Sequence, residues 1–163
     1  MPWKQIKNYT ETVIFLQSVN KNTNPWTTKA DMPTARGYLT AAVVNNKIYV
    51  IGGGGWVSKN EEYDPVTNAW TTKANMSIAR QGLTSSVVNN KIYVIGGENH
   101  ESSLSKNEEY DPVTNTWATK ADMPIARYGL TSAAVNNKIY VIGGSNGPSK
   151  NEEYDPVTNT WAT

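Results

Sequence analysis

The chain is organised around the stretch NNKIYVIGG, which occurs three times, at residues 45–53, 89–97 and 136–144. A second phrase, SKNEEYDPVTN, follows each copy, at residues 58–68, 105–115 and 149–159. The repeated tryptophans Trp26, Trp70, Trp117 and Trp161 are 44, 47 and 44 residues apart. Self-similarity at a period of this size is typical of stacked supersecondary units. We therefore predict a repeat architecture.

Composition narrows the class of protein. The 163 residues are enough for one domain with its own core, and the net charge is +1 with both signs spread along the repeats. A nucleic-acid surface needs a clustered basic face, so we expect no nucleic-acid partner. Cysteine is absent, which excludes disulfides and thiolate metal sites. The apolar run Val13–Leu16 is too short for a signal peptide or a membrane span. We expect a soluble, cytoplasmic protein without a membrane partner.

Each repeat contains the pattern of four short strands. Strand a is rich in small and β-branched residues (39–44, 83–88 and 130–135), and strand b is the apolar stretch that ends at Gly-Gly. Strand c carries Asn-Glu-Glu-Tyr, and strand d begins at the tryptophan. Asn-Asn-Lys predicts a tight a–b turn, because Asn tolerates positive φ. Asp-Pro-Val-Thr-Asn predicts the c–d turn. Short strands between turn signals indicate an all-β fold.

Residues 1–23 do not match the repeat, although Thr12–Val19 has the composition of a strand. Terminal units of repeat proteins are often atypical. We therefore divide the chain into a degenerate N-terminal segment or partial blade, residues 1–23, and a repeat segment, residues 24–163.

Four landmarks of the repeat resemble the kelch motif: strand-Gly-Gly, Glu-x-Tyr-Asp-Pro, Asn-x-Trp and Met-Pro-x-x-Arg. All are present three times, except that Met76-Ser77 replaces Met-Pro in the second copy. The resemblance implies β-propeller blades, each a four-stranded antiparallel sheet around a central channel. We expect three complete blades with an N-terminal partial unit. Three blades do not close a ring, so the chain is expected to be a fragment of a longer propeller or half of a six-bladed homodimer.

Residues that recur in every copy are predicted to build the blade, because a catalytic site is used once. We assign the repeated aromatic residues to packing between blades: Tyr63, Tyr110, Tyr154, Trp70, Trp117 and Trp161. The paired glutamates point to opposite faces of a strand and cannot converge on one substrate. All three arginines occupy one repeat position. We expect each to be bound by a strand-c glutamate, with the arginines being Arg36, Arg80 and Arg127 and the glutamates Glu61, Glu108 and Glu152.

The unrepeated residues are the candidates for function. They fall in the b–c loops and at the d–a connections, which lie on one face of an up-and-down blade, and the kelch family commonly binds partners there. Their aromatic and amide side chains suit a protein or a carbohydrate partner. The predicted contacts are Tyr38, Trp56, Gln81, Asn99, His100, Tyr128 and Asn146. We therefore expect a non-catalytic binding or scaffold module.

Two other functions remain open. A sugar mutarotase or epimerase on a kelch propeller would need an unrepeated polar residue at the channel mouth, and Gln81, Glu98 and Glu101 are the candidates. A purely structural segment of a larger protein would need no site. His100 is the single histidine, so we expect no metal site, and the chain has no phosphate-binding glycine motif, so we expect no cofactor.

Overall fold

The computed structural model describes residues 26–162, which form twelve β-strands and no helix. The strands are β1 Thr40–Val44, β2 Lys47–Ile51, β3 Asn60–Asp64, β4 Ala69–Lys73, β5 Thr84–Val88, β6 Lys91–Ile95, β7 Asn107–Asp111, β8 Thr116–Thr119, β9 Thr131–Val135, β10 Lys138–Ile142, β11 Asn151–Asp155 and β12 Thr160–Ala162. Within this part of the chain there is consequently no helix that could cross a membrane. The expected partial unit, residues 1–23, lies outside the described residues.

The strands form three four-stranded sheets, in the orders β1-β2-β3-β4, β5-β6-β7-β8 and β9-β10-β11-β12. Neighbouring strands are antiparallel, and we call the sheets blades 1, 2 and 3. The first strands of successive blades lie side by side, since the Thr40 and Ser85 hydroxyls are 2.7 Å apart and those of Thr84 and Ser132 are 2.9 Å apart. The predicted all-β architecture of four-stranded antiparallel blades is confirmed.

The tight turns follow from their asparagines. Asn45 and Asn46 have φ angles of 51° and 61°, and the two equivalent Asn pairs adopt the same left-handed conformation. Asparagine tolerates this region better than other non-glycine residues, which is why it suits a two-residue hairpin. In the c–d turn the Asp64 carboxylate accepts a hydrogen bond of 2.8 Å from the Val66 amide. Both turns therefore form through local interactions.

Two hydrophobic clusters hold the blades together, one at each junction. In the first, Tyr49 of blade 1 packs on Tyr110 of blade 2 with ring centroids 5.8 Å apart, and Tyr93 and Tyr154 repeat this arrangement in the second. The Trp117 indole also donates a 2.7 Å hydrogen bond to the Ala74 carbonyl, which follows strand β4. The repeated aromatic residues thus contribute both buried apolar area and hydrogen bonds between blades.

Blade 3 ends in an exposed sheet face. Ile142 is 43% exposed, whereas its equivalent Ile95 in blade 2 is 0% exposed. Val135 is 51% exposed, against 4% for Val88. In blade 2 these positions are covered by blade 3, and no described residue covers them in blade 3. The ring of blades is therefore incomplete within residues 26–162.

A candidate binding pocket at the channel mouth

The b–c loops and d–a connections lie together at one end of the blades. The Gly53 amide donates to the Arg80 carbonyl at 2.9 Å, and the Gly97 amide donates to the Arg127 carbonyl at 2.9 Å. The b–c loops of blades 1 and 2 are therefore each attached to the d–a connection of the next blade. We call this end the loop face, comprising residues 52–59, 96–106 and 143–150 with the connections at 37–38, 81–82 and 128–129. The opposite end carries the repeated Asn-Asn and Asp-Pro turns.

A pocket of about 370 Å³ opens on the loop face, where the d–a connections of all three blades meet. Its lining consists of Tyr38, Gln81, Gly82, Glu98, Tyr128 and Gly129. Three of the predicted contacts therefore converge here although they come from different blades. Glu98, which we considered as a catalytic candidate, also lies in the lining, whereas Glu101 does not.

A ladder of backbone hydrogen bonds forms the floor of the pocket. The Gly82 amide donates to the Tyr38 carbonyl at 2.9 Å, and the Gly129 amide donates to the Gly82 carbonyl at 2.8 Å. All three residues occupy one repeat position and have positive φ, at 51° for Tyr38, 61° for Gly82 and 64° for Gly129. Glycine adopts this conformation without strain, whereas tyrosine does not. Tyr38 therefore places an exposed ring where the other two copies have none.

Gln81 and Glu98 close one side of the pocket. Their backbones form an isolated antiparallel bridge, with the Gln81 amide 3.0 Å from the Glu98 carbonyl and the reverse bond at 2.9 Å. The Gln81 side-chain amide also donates to the Glu98 carboxylate at 3.0 Å. These bonds orient the carboxylate on the wall of the pocket.

Four predicted contact residues lie on the loop face but outside the pocket lining. Trp56 packs on His100 with ring centroids 4.4 Å apart, which joins the b–c loops of blades 1 and 2. The Asn99 side chain accepts hydrogen bonds from the Glu101 and Ser102 amides and so shapes its own loop. Asn146 donates to the Ser103 hydroxyl at 3.3 Å, across the next junction.

Sequence reasoning missed Gly82 and Gly129 as parts of the lining. A signal was present, because aligning the repeats places both glycines at the position of Tyr38. The side chain of Tyr128 passes beside Gly82, since a Cβ added to Gly82 would lie 3.6 Å from the Tyr128 ring. Because glycine has no side chain, Gly82 and Gly129 leave room in the pocket beside the tyrosine rings.

The repeated arginines are buried beneath the loop face and form ion pairs with the strand-c glutamates of their own blades. Arg36 contacts Glu61 at 2.5 Å, Arg80 contacts Glu108 at 2.9 Å, and Arg127 contacts Glu152. The arginine side chains are 0% exposed. Removing these charges from water is costly unless they are paired, so the geometry agrees with the expected pairing, whose contribution to stability stays a prediction.

The departure at Ser77 changes one of these ion pairs. The Ser77 amide and hydroxyl both donate to the Glu108 carboxylate, with the amide at 3.0 Å. In blade 3 the equivalent residue is Pro124, which has no amide hydrogen to donate. Glu108 therefore has donors other than its arginine, whereas Arg127 is the one side chain that donates to Glu152 among the described residues.

The second glutamate of each pair serves a different network on the other face of the strand. In blade 2, Glu109 accepts hydrogen bonds from Tyr93 at 2.6 Å and Lys91 at 3.0 Å, and forms an ion pair with Lys120 at 2.9 Å. Burial acts to raise the pKa of Glu109, but these donors outweigh it and hold the pKa below its usual value. Each pair of carboxylates thus diverges, with one towards an arginine and one towards a tyrosine. No group of three or more potential metal ligands is found among residues 26–162.

Sequence and structure comparisons agree on the family. The profile of the KLHDC2/KLHL20/DRC7 Kelch-repeats domain matches residues 4–144, and the Kelch motif matches residues 126–163. Among solved structures, the chain is similar to YjhT, with a TM-score of 0.73 and 20% identity over 82% of this chain. The match covers 52% of YjhT, so the chain spans about half the length of that protein. At this identity the likeness shows the fold alone. Comparison with curated proteins gives no significant match.

Proposed function

Because the chain belongs to the kelch-repeat family, we propose that it is a non-catalytic binding module that recruits a protein partner through its loop face. The observation that carries this proposal is the position of the pocket, at the one end of the blades where the repeats differ from one another. Function in scaffolded folds concentrates in such variable loops, and the repeated turns at the opposite end offer no individual feature.

The chemistry of the loop face supports a protein partner. Tyr38 is 77% exposed and Tyr128 is 40% exposed, and both border a concave surface. Exposed aromatic residues beside a pocket are the residue type that dominates binding energy at protein interfaces. The pair of Trp56 and His100, whose ring planes are tilted by 49°, extends this surface over the neighbouring loops.

Substitutions guided by the repeat test the proposal. Tyr38→Gly and Tyr128→Gln install residues that other copies have at the same positions, so the double variant should fold. Proteins captured by the wild-type chain and by the variant are compared by mass spectrometry, and each candidate is purified for a direct affinity measurement. We expect the double variant to bind the purified partner about ten-fold more weakly or worse.

The matched control is the double variant Val66→Thr and Val113→Thr on the opposite end, where both valines are exposed. It should bind the partner as the wild type does. An equal loss of affinity in both double variants would contradict a role for the loop face. An affinity that is unchanged in both would contradict it as well.

An enzyme acting on a sugar is the second candidate, and the observation in its favour is the Glu98 carboxylate in the pocket lining. Carboxylates are common general acids and bases. A panel of aldoses and ketoses is incubated with the protein, and anomerisation and epimerisation are followed by NMR. Turnover that is abolished by Glu98→Gln would replace the binding proposal with the enzyme.

For assembly, we propose that a second copy of this chain covers the open face of blade 3 and helps to close a ring. The two junctions inside the chain support this, because the same face is covered there by a blade of the same repeat. Light scattering after size exclusion should give twice the mass of 18.0 kDa. Ile142→Lys should yield the monomer, and Val113→Lys on an exposed turn should not. A wild-type monomer at every concentration would contradict the proposal.

A further inference from the structure

Among the described residues that line the pocket, Glu98 is the single charged side chain. Each glutamate on the described β-strands forms an ion pair with a lysine or arginine, whereas Glu98 has no such pair among residues 26–162. Its one side-chain partner in that range is the neutral amide of Gln81. The pocket therefore attracts positive charge.

Five of the six backbone amides of the lining residues already donate hydrogen bonds within the protein. The backbone amides of Gly82 and Gly129 donate along the floor, and those of Gln81 and Glu98 donate to each other's carbonyls. The Tyr128 amide donates to the Ser145 hydroxyl at 3.0 Å. An anion bound here would find few free N–H groups, although anion sites usually depend on them. The lining also offers the carboxylate of Glu98 and the faces of two phenol rings, and both kinds of group attract cations.

Both tyrosine rings lie close to residues 81–82, which include Gln81, the partner of the carboxylate. A Cβ added to Gly54 would lie 3.5 Å from the Gln81 amide oxygen and 3.6 Å from the Tyr38 ring, so these two groups are neighbours. Tyr128 passes beside Gly82. Tyr38 occupies a left-handed position that both other copies give to glycine. Residues held in such unfavourable conformations concentrate at functional sites, and aromatic rings attract cations over their faces.

We propose that the channel-mouth pocket binds an organic cation, an alkylated ammonium or guanidinium group, through the carboxylate of Glu98 and the rings of Tyr38 and Tyr128. The proposal rests on the proposed binding function and specifies the group that this site recognises. Such a group is supplied by a lysine or arginine side chain of a partner protein, or by a free amine.

The test titrates the ¹⁵N-labelled full chain with the amide of N-acetyl-trimethyllysine and follows the backbone amide signals of Gly82 and Gly129. The neutral isostere, in which a tert-butyl group replaces trimethylammonium, serves as the control ligand. We expect saturable shifts at both glycines with the cation. The neutral isostere should bind about ten-fold more weakly, since it lacks both the charge and the cation–π attraction.

Two matched variants assign the charge to Glu98. Glu98→Gln keeps the shape of the side chain and its neighbour Gln81, and should weaken binding of the cation about ten-fold or more. Glu101→Gln removes a charge from the same loop outside the pocket and should change the affinity less than about two-fold. Similar affinities for the cation and its isostere, or equal effects of the two variants, would overturn the proposal.

A comparison of ligands identifies the source of the cation. Tighter binding of a tripeptide with a central lysine or arginine than of tetramethylammonium assigns the site to a protein partner, and the reverse order assigns it to a free amine. Either order supports a cation site, and no shift with any of them overturns it. If the cations fail while the partner affinity still depends on Tyr38 and Tyr128, this inference falls and the binding module stands.

Discussion

Blades 2 and 3 contain the same second strand, KIYVI, yet the two strands have different environments. In blade 2, Tyr93 and Ile95 are 4% and 0% exposed, because blade 3 covers them. In blade 3, Tyr140 is half-buried and Ile142 is 43% exposed. The difference arises from the neighbouring blade and not from the strand. A repeat of this kind therefore forms locally but gains its stability at the junctions.

The buried Arg–Glu ion pair is present in both blades, but among the described residues its glutamate has additional hydrogen-bond donors in blade 2 only. We expect Arg127→Ala to lower the free energy of unfolding by about 3–5 kcal/mol, because it leaves the buried Glu152 without a partner. Arg80→Ala should cost less, since Ser77 still donates two hydrogen bonds to Glu108. Urea unfolding at a fixed protein concentration measures both. Lys106→Ala, which breaks an exposed pair with Asp122, is the control and should cost at most about 1 kcal/mol. Equal stability of all four proteins would disprove the structural role of the arginines.

Truncating the equivalent isoleucine in blade 2 and in blade 3 tests the open face of blade 3 directly. Ile95→Ala should cost about 2–5 kcal/mol, because it leaves a cavity at a closed junction. Ile142→Ala should change stability by about 0.5 kcal/mol or less in a monomeric protein, since surface positions tolerate truncation. Both are measured by urea unfolding at dilutions that keep the chain monomeric. Equal losses at the two positions under these conditions would contradict an open face on blade 3.

Removing a tyrosine hydroxyl separates burial from hydrogen bonding. Tyr93 donates to Glu109 at 2.6 Å and Tyr140 donates to Glu153 at 2.7 Å, so the two hydrogen bonds are alike. Their surroundings differ, because Tyr93 is buried and Tyr140 is half-buried. Tyr93→Phe should cost about 1.5–3 kcal/mol, as expected for a buried bond to a charged acceptor. Tyr140→Phe should cost less, because water replaces the lost donor. Thermal unfolding of the two variants beside the wild type decides the order, and a larger loss at Tyr140 would contradict it.

Acid titration gives the smallest of these contrasts. Burial opposes ionisation of Glu109, but bonds from Tyr93, Lys120 and Lys91 lower its pKa in the folded state. A group with a lowered folded pKa adds stability above its unfolded pKa, about 4.3, and that stability is lost as the pH falls further. The stability difference between the wild type and Glu109→Gln should therefore shrink below about pH 4.3.

Glu153 provides the matched site in blade 3, since hydrogen bonds from Lys138 and Tyr140 also lower its pKa but it lies at an open face. Glu153→Gln should show a smaller change over the same pH range, because water screens the interaction. Urea unfolding at pH 7, 5, 4 and 3 compares the two variants. A stability difference for Glu109→Gln that stays constant from pH 7 to pH 3 would rule out the proposed titration.

Part of the candidate site could be anticipated from the repeats. Removing the repeated residues left Tyr38, Gln81 and Tyr128 as candidates, and the structure brings these three together. The sequence could not separate them from Trp56, His100, Asn99 and Asn146, which lie in the same loops but outside the lining. Which of these residues line the pocket depends on which parts of the loops lie against the d–a connections. The packing of the blades decides this.

The sequence by itself determined the strands, the tight turns and the number of complete blades, because alternation and turn chemistry act over a few residues. It also indicated that the arginines pair with strand-c glutamates, since each type recurs at one position per blade, whereas the structure shows that each pair forms within one blade. Only the tertiary structure decided that the pocket forms between three blades, that Tyr38 takes a glycine's backbone conformation and that Glu98 has no ion pair within residues 26–162. The floor of the pocket, for example, joins Tyr38 to Gly82 and Gly82 to Gly129, which are 44 and 47 positions apart in the chain, and inter-blade packing brings such residues together.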